Sequence, residues 1–358
     1  MVRAAVVGCG DISITHREAI GAIDGAELVA LCDTNPEALA AAGEKHPGVP
    51  TFEDHRTLLD HVRPDVVHVC TPHHQHVPVA IDALDAGVDV LTEKPVAHTL
   101  VDADRLIDAT EKAHRESGAR IAVSFQNRYN RPVQRLHELL ENGDLGMVQA
   151  ATATVIWGRT REYYRARPWR GTWSESGGGL LINQAIHTID LLQWLLGDVL
   201  TLSGHAATHR LGDVIEVEDT AEMVLEHRGG ARSVFFATNN NAVNSPVTIE
   251  IVAENGSAIL RGDLEVTWGD GRVENVLERS ATGSGRSYWG VSHQELIADF
   301  YAGHGSGERF WISPAEARKS LQILKEVYAQ SPGPIADGAA SAEDAAREAA
   351  PTEVTPSS

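Results

Sequence analysis

Asn183, His187 and Asp190 recur at i, i+4 and i+7 within Ser176–Gly197, SGGGLLINQAIHTIDLLQWLLG. That spacing puts them on one face of a helix. An imidazole there can accept or give up a proton, because its ordinary pKa lies near ~6.5. The flanking positions Leu181, Ile182, Ala185, Ile186, Ile189, Leu191, Leu192, Leu195 and Leu196 surround the stripe with core. A polar group buried there without a partner costs on the order of several kcal/mol. The stripe therefore needs something to bond: neighbouring turns, if His187 is a core histidine, or a substrate, if it is a base.

Two other groups could contact a ligand. Residues 157–173 gather Trp157, Trp169 and Trp173 with Tyr163, Tyr164 and arginines at 159, 161, 165, 167 and 170. Aromatic rings stack on the apolar faces of sugar or cyclitol rings, and guanidinium groups bond hydroxyls, carboxylates or phosphates. Trp157, Arg159, Tyr163 and Arg170 are thus expected in a substrate wall; a subunit interface and a structural tryptophan cluster are the competing readings. His73, His74 and His76 are close in sequence, but no carboxylate or cysteine at ligand spacing accompanies them. No metal is expected, and the loop is placed beside a cofactor.

Elements able to position these groups follow from the pattern. Val2–Val7 is a short β-rich run closed by Gly8, Cys9 and Gly10 and followed by a helical pattern through Ile20. Strand, tight turn and helix are the setting of the dinucleotide fingerprint GxGxxG, here with Ser13 at the third position. A second strand, Leu28–Cys32, ends in Asp33, which is placed for a ribose 2′-hydroxyl. Its charge would repel a 2′-phosphate, so NAD is favoured over NADP; the competing role is a helix cap before Pro36. Strands at 66–70, 88–92 and 120–124 alternate with helices at 38–44, 77–86 and 101–114, which predicts a doubly wound parallel sheet. Ligands bind beyond the carboxyl ends of such strands. Gly8, Gly10, Asp11, Ile12, Asp33, Thr71, Pro72, His76, Glu93, Lys94 and Gln126 are the expected cofactor contacts, with Arg128 on the substrate side.

Beyond residue 125 the signals change. A helix is predicted over 132–141 and strands over 148–157, 218–225, 231–238, 247–253 and 258–261, with glycine-bearing turns that indicate an antiparallel meander. The open face of such a sheet suits self-association as a homodimer or homotetramer. Ser313, Pro314 and Glu316 read as a capping box opening a structural helix over 314–328. Residues 1–125 are read as the cofactor domain and 126–331 as a substrate and dimerisation domain. The segment 332–358, poor in large apolar residues, is expected to be a disordered tail.

Composition narrows the class. Among 358 residues, 42% hydrophobic and 22% charged, the net charge of −20 argues against a nucleic-acid or anionic-membrane partner and for a small molecule. Three scattered cysteines predict neither a disulfide framework nor a zinc site and point to a reducing, cytoplasmic setting. No signal peptide or membrane span is expected.

Taken together, GCGDIS at the first turn, TPHHQH after a strand, EKP at Glu93–Pro95 and GGGLLINQAIHTIDLLQWLLG resemble the glucose-fructose oxidoreductase, inositol dehydrogenase and MocA (Gfo/Idh/MocA) family, over residues 1 to about 331. The resemblance implies a Rossmann domain, a second α/β domain with a large open, mostly antiparallel sheet, and NAD(P)-dependent redox chemistry at a sugar or cyclitol carbon. It makes Lys94 the reactive lysine and His187 the helix histidine, with Asn183 where the family commonly has Asp. The expected function is an NAD-dependent oxidoreductase interconverting a secondary alcohol and a ketone, with His187 as base, Lys94 as proton donor or relay, and Asn183 orienting substrate or imidazole. A redox-neutral, NAD-dependent glycoside hydrolase and a non-catalytic NAD sensor are the alternatives.

Overall fold

The computed structural model describes residues 1–279 and 292–349. Its first half alternates strands and helices: β1 (Val2–Val7), α1 (Asp11–Ala22), β2 (Ala26–Cys32), α2 (Pro36–Lys45), β3 (Thr51–Phe52), α3 (His55–Val62), β4 (Val66–Val69), α4 (His76–Asp85), β5 (Asp89–Glu93), α5 (Leu100–Ser117) and β6 (Ile121–Ser124). The strands pair in parallel in the order β3-β2-β1-β4-β5-β6. With helices on both faces, the central strands must be apolar throughout, and Ala4, Ala5, Val6, Val66, Val67, Val90 and Leu91 are at most 1% exposed. Reversal of strand order between β1 and β4 opens the crevice where a dinucleotide binds in such folds.

The second half begins with α6 (Arg131–Glu141) and β7 (Val148–Ile156), followed by short helices α7 (Arg161–Arg165) and α8 (Trp173–Ser176). A π turn over Leu181–Ala185 then leads into α9 (Ile186–Leu196). Strands β8 (Val199–Ala207), β9 (Thr220–His227), β10 (Arg232–Thr238), β11 (Thr248–Ala253), β12 (Gly256–Arg261), β13 (Asp263–Trp268) and β14 (Val273–Val276) complete the second sheet, ordered β14-β13-β12-β11-β7-β10-β9-β8. It is mostly antiparallel but not a plain meander, because β7 lies between β11 and β10 and runs parallel to β10. Alternation sorts its faces: Met223, Leu225, Phe235 and Ala237 are buried, while Val234 and Phe236 are 50% and 37% exposed.

The last helices return to the first sheet. α10 (Ser292–Ala302) packs on α1, and α11 (Pro314–Gln330) packs on α5, α9 and β8. Elements late in the chain thus pack on both halves of the molecule. The expected disordered tail is corrected over 334–349, which form α12 (Pro334–Ala349). Ile335, Ala339, Ala342 and Ala346 make its buried stripe, so narrow and alanine-rich that composition conceals it. A Cβ at Gly338 would lie 2.2 Å from Trp173 Nε1, so only glycine lets the helix seat. Glu343 accepts from the Leu100 and Val101 N–H groups at 2.9 and 3.3 Å. Residues 350–358 of that tail lie outside the described residues. No described helix is long and apolar enough to cross a membrane.

Candidate active site

The carboxyl ends of the parallel strands carry most of the expected cofactor contacts. Gly8 follows β1 at φ +94°, and a Cβ there would lie 2.6 Å from the Cys70 carbonyl carbon and oxygen. A Cβ at Gly10 meets nothing within 4 Å. Ser13 donates from Oγ to the Gly10 carbonyl at 2.6 Å and so braces the turn despite replacing the third glycine. Asp33 accepts from the Cys9 N–H at 2.6 Å and the Asn35 N–H at 2.8 Å. It is not the cap of α2; Asn35 is, accepting from Glu37 and Ala38 N–H groups. Ile12 packs partly buried on the core, Asp11 sits 3.5 Å from Arg170 and 3.7 Å from Arg167, and Pro72 opens the 73–75 turn. Thr71 Oγ1 and Gln126 Oε1 are buried without hydrogen-bond partners among the described residues. A bare glycine turn, a carboxylate at the end of β2 and these orphaned polar atoms fit a dinucleotide laid across the strand ends.

Two expected contacts are corrected. His76 is 1% exposed, and its ring nitrogens lie 2.8 Å from the Pro95 carbonyl and 3.0 Å from that of Thr71, so it ties two loops together. Glu93 turns its carboxylate inward, 3.0 Å from His16 Nε2 and 3.5 Å from His293 Nε2. His16 Nδ1 meets His68 Nδ1 at 2.8 Å, and His68 Nε2 meets the Tyr301 hydroxyl at 2.5 Å. Burial alone would depress His16, but Cys70 and Glu93 raise it to about 10. Burial opposes ionisation of Glu93, yet His16 and His293 hold it well below the usual carboxylate range. A doubly protonated His16 can donate to both Glu93 and His68, leaving a neutral His68 to donate to Tyr301. His16, Glu93 and His293, from α1, β5 and α10 and not from the 73–76 loop, also each offer a ligand atom within 4.8 Å of the others, a grouping able to hold a metal ion.

Lys94, next after β5, points the other way and donates from Nζ to the Asn183 carbonyl at 2.8 Å. Burial lowers its pKa; Glu93 opposes and Arg170 reinforces the shift. His187 is held well below the ordinary histidine value by burial, with Lys94 adding to the effect. Its Nδ1 has no hydrogen-bond partner among the described residues, and its ring meets Phe125 edge-on at 5.9 Å. Burial thus favours the neutral forms of both Lys94 and His187.

The π turn breaks the expected stripe, as such insertions often do at functional sites. Asn183 donates from Nδ2 to Ser176 Oγ at 3.0 Å and the Gly179 carbonyl at 3.2 Å, and makes no bond to the imidazole. What reaches the site from Asn183 is its carbonyl, through Lys94. Asp190 is 1% exposed and bound bidentately by Arg128, at 2.8 Å from Nε and 2.7 Å from Nη2. Arg128, also 1% exposed, is therefore no substrate contact; it and Ser320 satisfy Asp190, and Arg128 reaches Glu316 at 3.0 Å. Ser313 does cap α11 through the Glu316 N–H, but the Glu316 carboxylate leaves the capping box for Arg128, Gln193 and Lys319.

Glu218, which the sequence does not single out, fixes the start of the helix. Its carboxylate accepts from the Gly179 and Leu181 N–H groups and the Tyr328 hydroxyl, all at 2.8 Å. Burial pushes it up to about 7 against those hydrogen bonds. A Cβ at Gly179 would lie 2.0 Å from the Glu218 carbonyl, which explains the bare glycines of this entry.

The aromatic loop draws its rings and guanidiniums together. Tyr163 lies between two guanidiniums, with Arg159 5.2 Å and Arg170 4.5 Å from its centroid, and its hydroxyl accepts from Gln184 Nε2 at 3.1 Å. Trp157 carries Arg159 4.9 Å above its ring and donates to the Ser245 carbonyl. Arg170 links this wall to Lys94, whose charge it disfavours.

Residues 2–119 match the model of an oxidoreductase family with an NAD-binding Rossmann fold, and residues 133–259 match the GFO/IDH/MocA C-terminal domain. The chain is 31% identical over 280 residues to a D-apiose dehydrogenase of Paraburkholderia graminis, covering 75% of this chain and 70% of the relative. It is 26% identical over 353 residues to a D-glucoside 3-dehydrogenase of Escherichia coli, covering 92% and 95%. A crystal structure of the WlbA dehydrogenase from Bordetella pertussis in complex with NADH and UDP-GlcNAcA superposes with a TM-score of 0.77 at 31% identity, over 92% of this chain and 95% of that one.

Proposed function

The chain belongs to the Gfo/Idh/MocA family of NAD-binding oxidoreductases, and from that premise we propose that it interconverts a secondary alcohol and a ketone on a sugar, sugar derivative or inositol. The observation that carries this reading is the pairing of Lys94 with His187, both depressed by burial, at the carboxyl end of β5. When bound, NAD supplies the hydride acceptor. Oxidation of an alcohol also requires its hydroxyl proton to leave, and a neutral His187 takes it. Lys94 bonds the same oxygen and relays the proton, held in place by the Asn183 carbonyl. Gly8, Gly10 and Asp33 hold the dinucleotide, and Tyr163 with its flanking arginines borders the substrate.

Relatives named as dehydrogenases of D-apiose and D-glucosides support a carbohydrate substrate. The exposed row Val234, Phe236, Val252 and Ile259 supports association as a homodimer or homotetramer. Three free, buried cysteines fit a reducing, cytoplasmic setting.

The test is a panel of aldoses, inositols, glycosides and nucleotide sugars incubated with NAD, followed by NADH formation and product analysis. NADH formed stoichiometrically with a ketone supports the dehydrogenase. Product without NADH supports the redox-neutral hydrolase instead, and binding with neither outcome supports a sensor.

A further inference from the structure

An open cavity of about 610 Å³ lies at the far end of the aromatic wall, lined by Arg159, Arg161, Arg210, Asn241 and Asn244 among others. It has an unusual charge balance for this chain, in which 50 Asp and Glu outnumber 30 Lys and Arg. Arg161 is neutralised by Asp213 at 2.7 Å, and the Glu162 side chain at the rim is 77% exposed. Arg159 and Arg210 have no carboxylate partner among the described residues.

Arg159 is the better built of the two. Trp157 and Tyr163 hold its guanidinium at 4.9 and 5.2 Å, and Nη1 is fixed by the Gly158 carbonyl at 2.8 Å and Asn244 Oδ1 at 3.1 Å. Its Nε is buried with no hydrogen-bond partner among the described residues. A guanidinium oriented by rings and anchored through Nη1 keeps Nη2 for an oxygen of a carboxylate or phosphate, and such an anion would also offset the unsatisfied Nε. Tyr163 alone separates Arg159 from Arg170, and Arg170 acts electrostatically on Lys94. Arg159, Tyr163 and Arg170 thus form one row of contacts leading from the cavity toward Lys94.

We propose that this cavity is an anion subsite, in which Arg159, assisted by Arg210, receives a carboxylate or phosphate carried by the substrate away from the reacting carbon. The substrate class is then an acidic or phosphorylated sugar or cyclitol rather than a neutral one. Calling the ligand a substrate rests on the dehydrogenase reading; the anion site itself does not.

Calorimetric titration of the NADH-loaded full-length protein tests it, since that complex cannot oxidise an alcohol. The probes are aldoses and inositols, each beside its uronate or monophosphate. The proposal expects at least one anionic form to bind tenfold or more tighter than its neutral parent, with inorganic phosphate competing. A uronate identifies the anion as carboxylate, and a monophosphate identifies it as phosphate. Arg159→Gln should remove that advantage, Arg159→Lys should restore part of it, and Arg210→Gln should reduce it by less. Should Arg159→Gln fold poorly, the phosphate competition and weakening of the anionic complex by salt in the native protein decide the matter. Neutral parents binding as tightly as their anionic forms, or Arg159→Gln weakening both alike, would overturn it. Turnover with NAD separates the two readings: tight anionic binding without NADH leaves the subsite and removes the dehydrogenase. NADH formed from neutral sugars that bind as well as anionic ones does the reverse.

Discussion

Two cation-bearing pairs flank helix α9, and they end in opposite circumstances. Arg128 and Asp190 are each 1% exposed, doubly bonded to one another and further satisfied by Glu316 and Ser320. Lys94 and His187 lie at the other end, where Lys94 has one carbonyl partner and His187 Nδ1 has none. Both pairs are polar groups within core. The first has used its bonding capacity on the protein, so it holds α9 between α11 and the 126–129 turn. The second has kept that capacity, and this is what a site for chemistry requires. The Glu93–His16 pair repeats the lesson one residue from Lys94: its carboxylate and both imidazole nitrogens are spent inside the protein, and it braces the strand from which Lys94 projects.

The comparison can be broken most strongly at Asp190. Asp190→Ala leaves Arg128 buried with only Glu316, and loss of one partner of such a pair costs about 3–5 kcal/mol. Denaturant unfolding should show that loss; a change under about 1 kcal/mol would mean that the pair is not structural. Lys94→Met is the opposite case. Turnover should fall by at least ~100-fold while NAD binding and the unfolding midpoint hold, because an apolar isostere replaces a buried ammonium. Unfolding on a par with Asp190→Ala would erase the distinction between the pairs.

Asp33→Ala sharpens the account at the cofactor end. Removing the carboxylate should shift the ratio of kcat/KM for NAD over NADP toward NADP by on the order of tenfold, about one charge-assisted hydrogen bond. An unmoved ratio would leave Asp33 as only a brace for the Cys9 N–H. The smallest expected effect is a displacement in pH. Burial and Lys94 depress His187, so it stays neutral as pH falls through the ordinary histidine value and gains its proton only below it. The acidic limb of kcat/KM for alcohol oxidation should accordingly lie below pH ~6.5, and a limb at or above that value would show that a different group titrates.

Five of the six parallel strands were legible because each carries a mostly apolar run closed by turn residues, and Gly8, Gly10 and Asp33 fall at spacings that a strand–turn–helix setting explains; the edge strand β3, only Thr51–Phe52, is too short to leave such a pattern. The aromatic loop announced itself by composition. What sequence periodicity cannot show is which partner a polar side chain finds. His187 and Asp190 share a stripe, yet a π turn and a distant arginine give them different fates. His16, His68, His293 and Tyr301 come from α1, β4 and α10, too far apart in sequence for any spacing to relate them, although a histidine on the apolar face of α1 is a signal that could have been weighed. Glu218 was hidden for the same reason. Helix α12 escaped because its buried face is mostly alanine, which binary patterning does not score as core.

The claim that unspent polarity marks the site is tested most directly by His187→Ala, with the pH profile of alcohol oxidation and the unfolding midpoint measured on the same preparation. The account predicts that kcat/KM falls at least ~100-fold, that the acidic limb disappears and that the midpoint drops by less than in Asp190→Ala, since His187 loses ring packing against Phe125 but no hydrogen bond from Nδ1. An active enzyme with its limb in place, or a midpoint lowered as far as in Asp190→Ala, would contradict it.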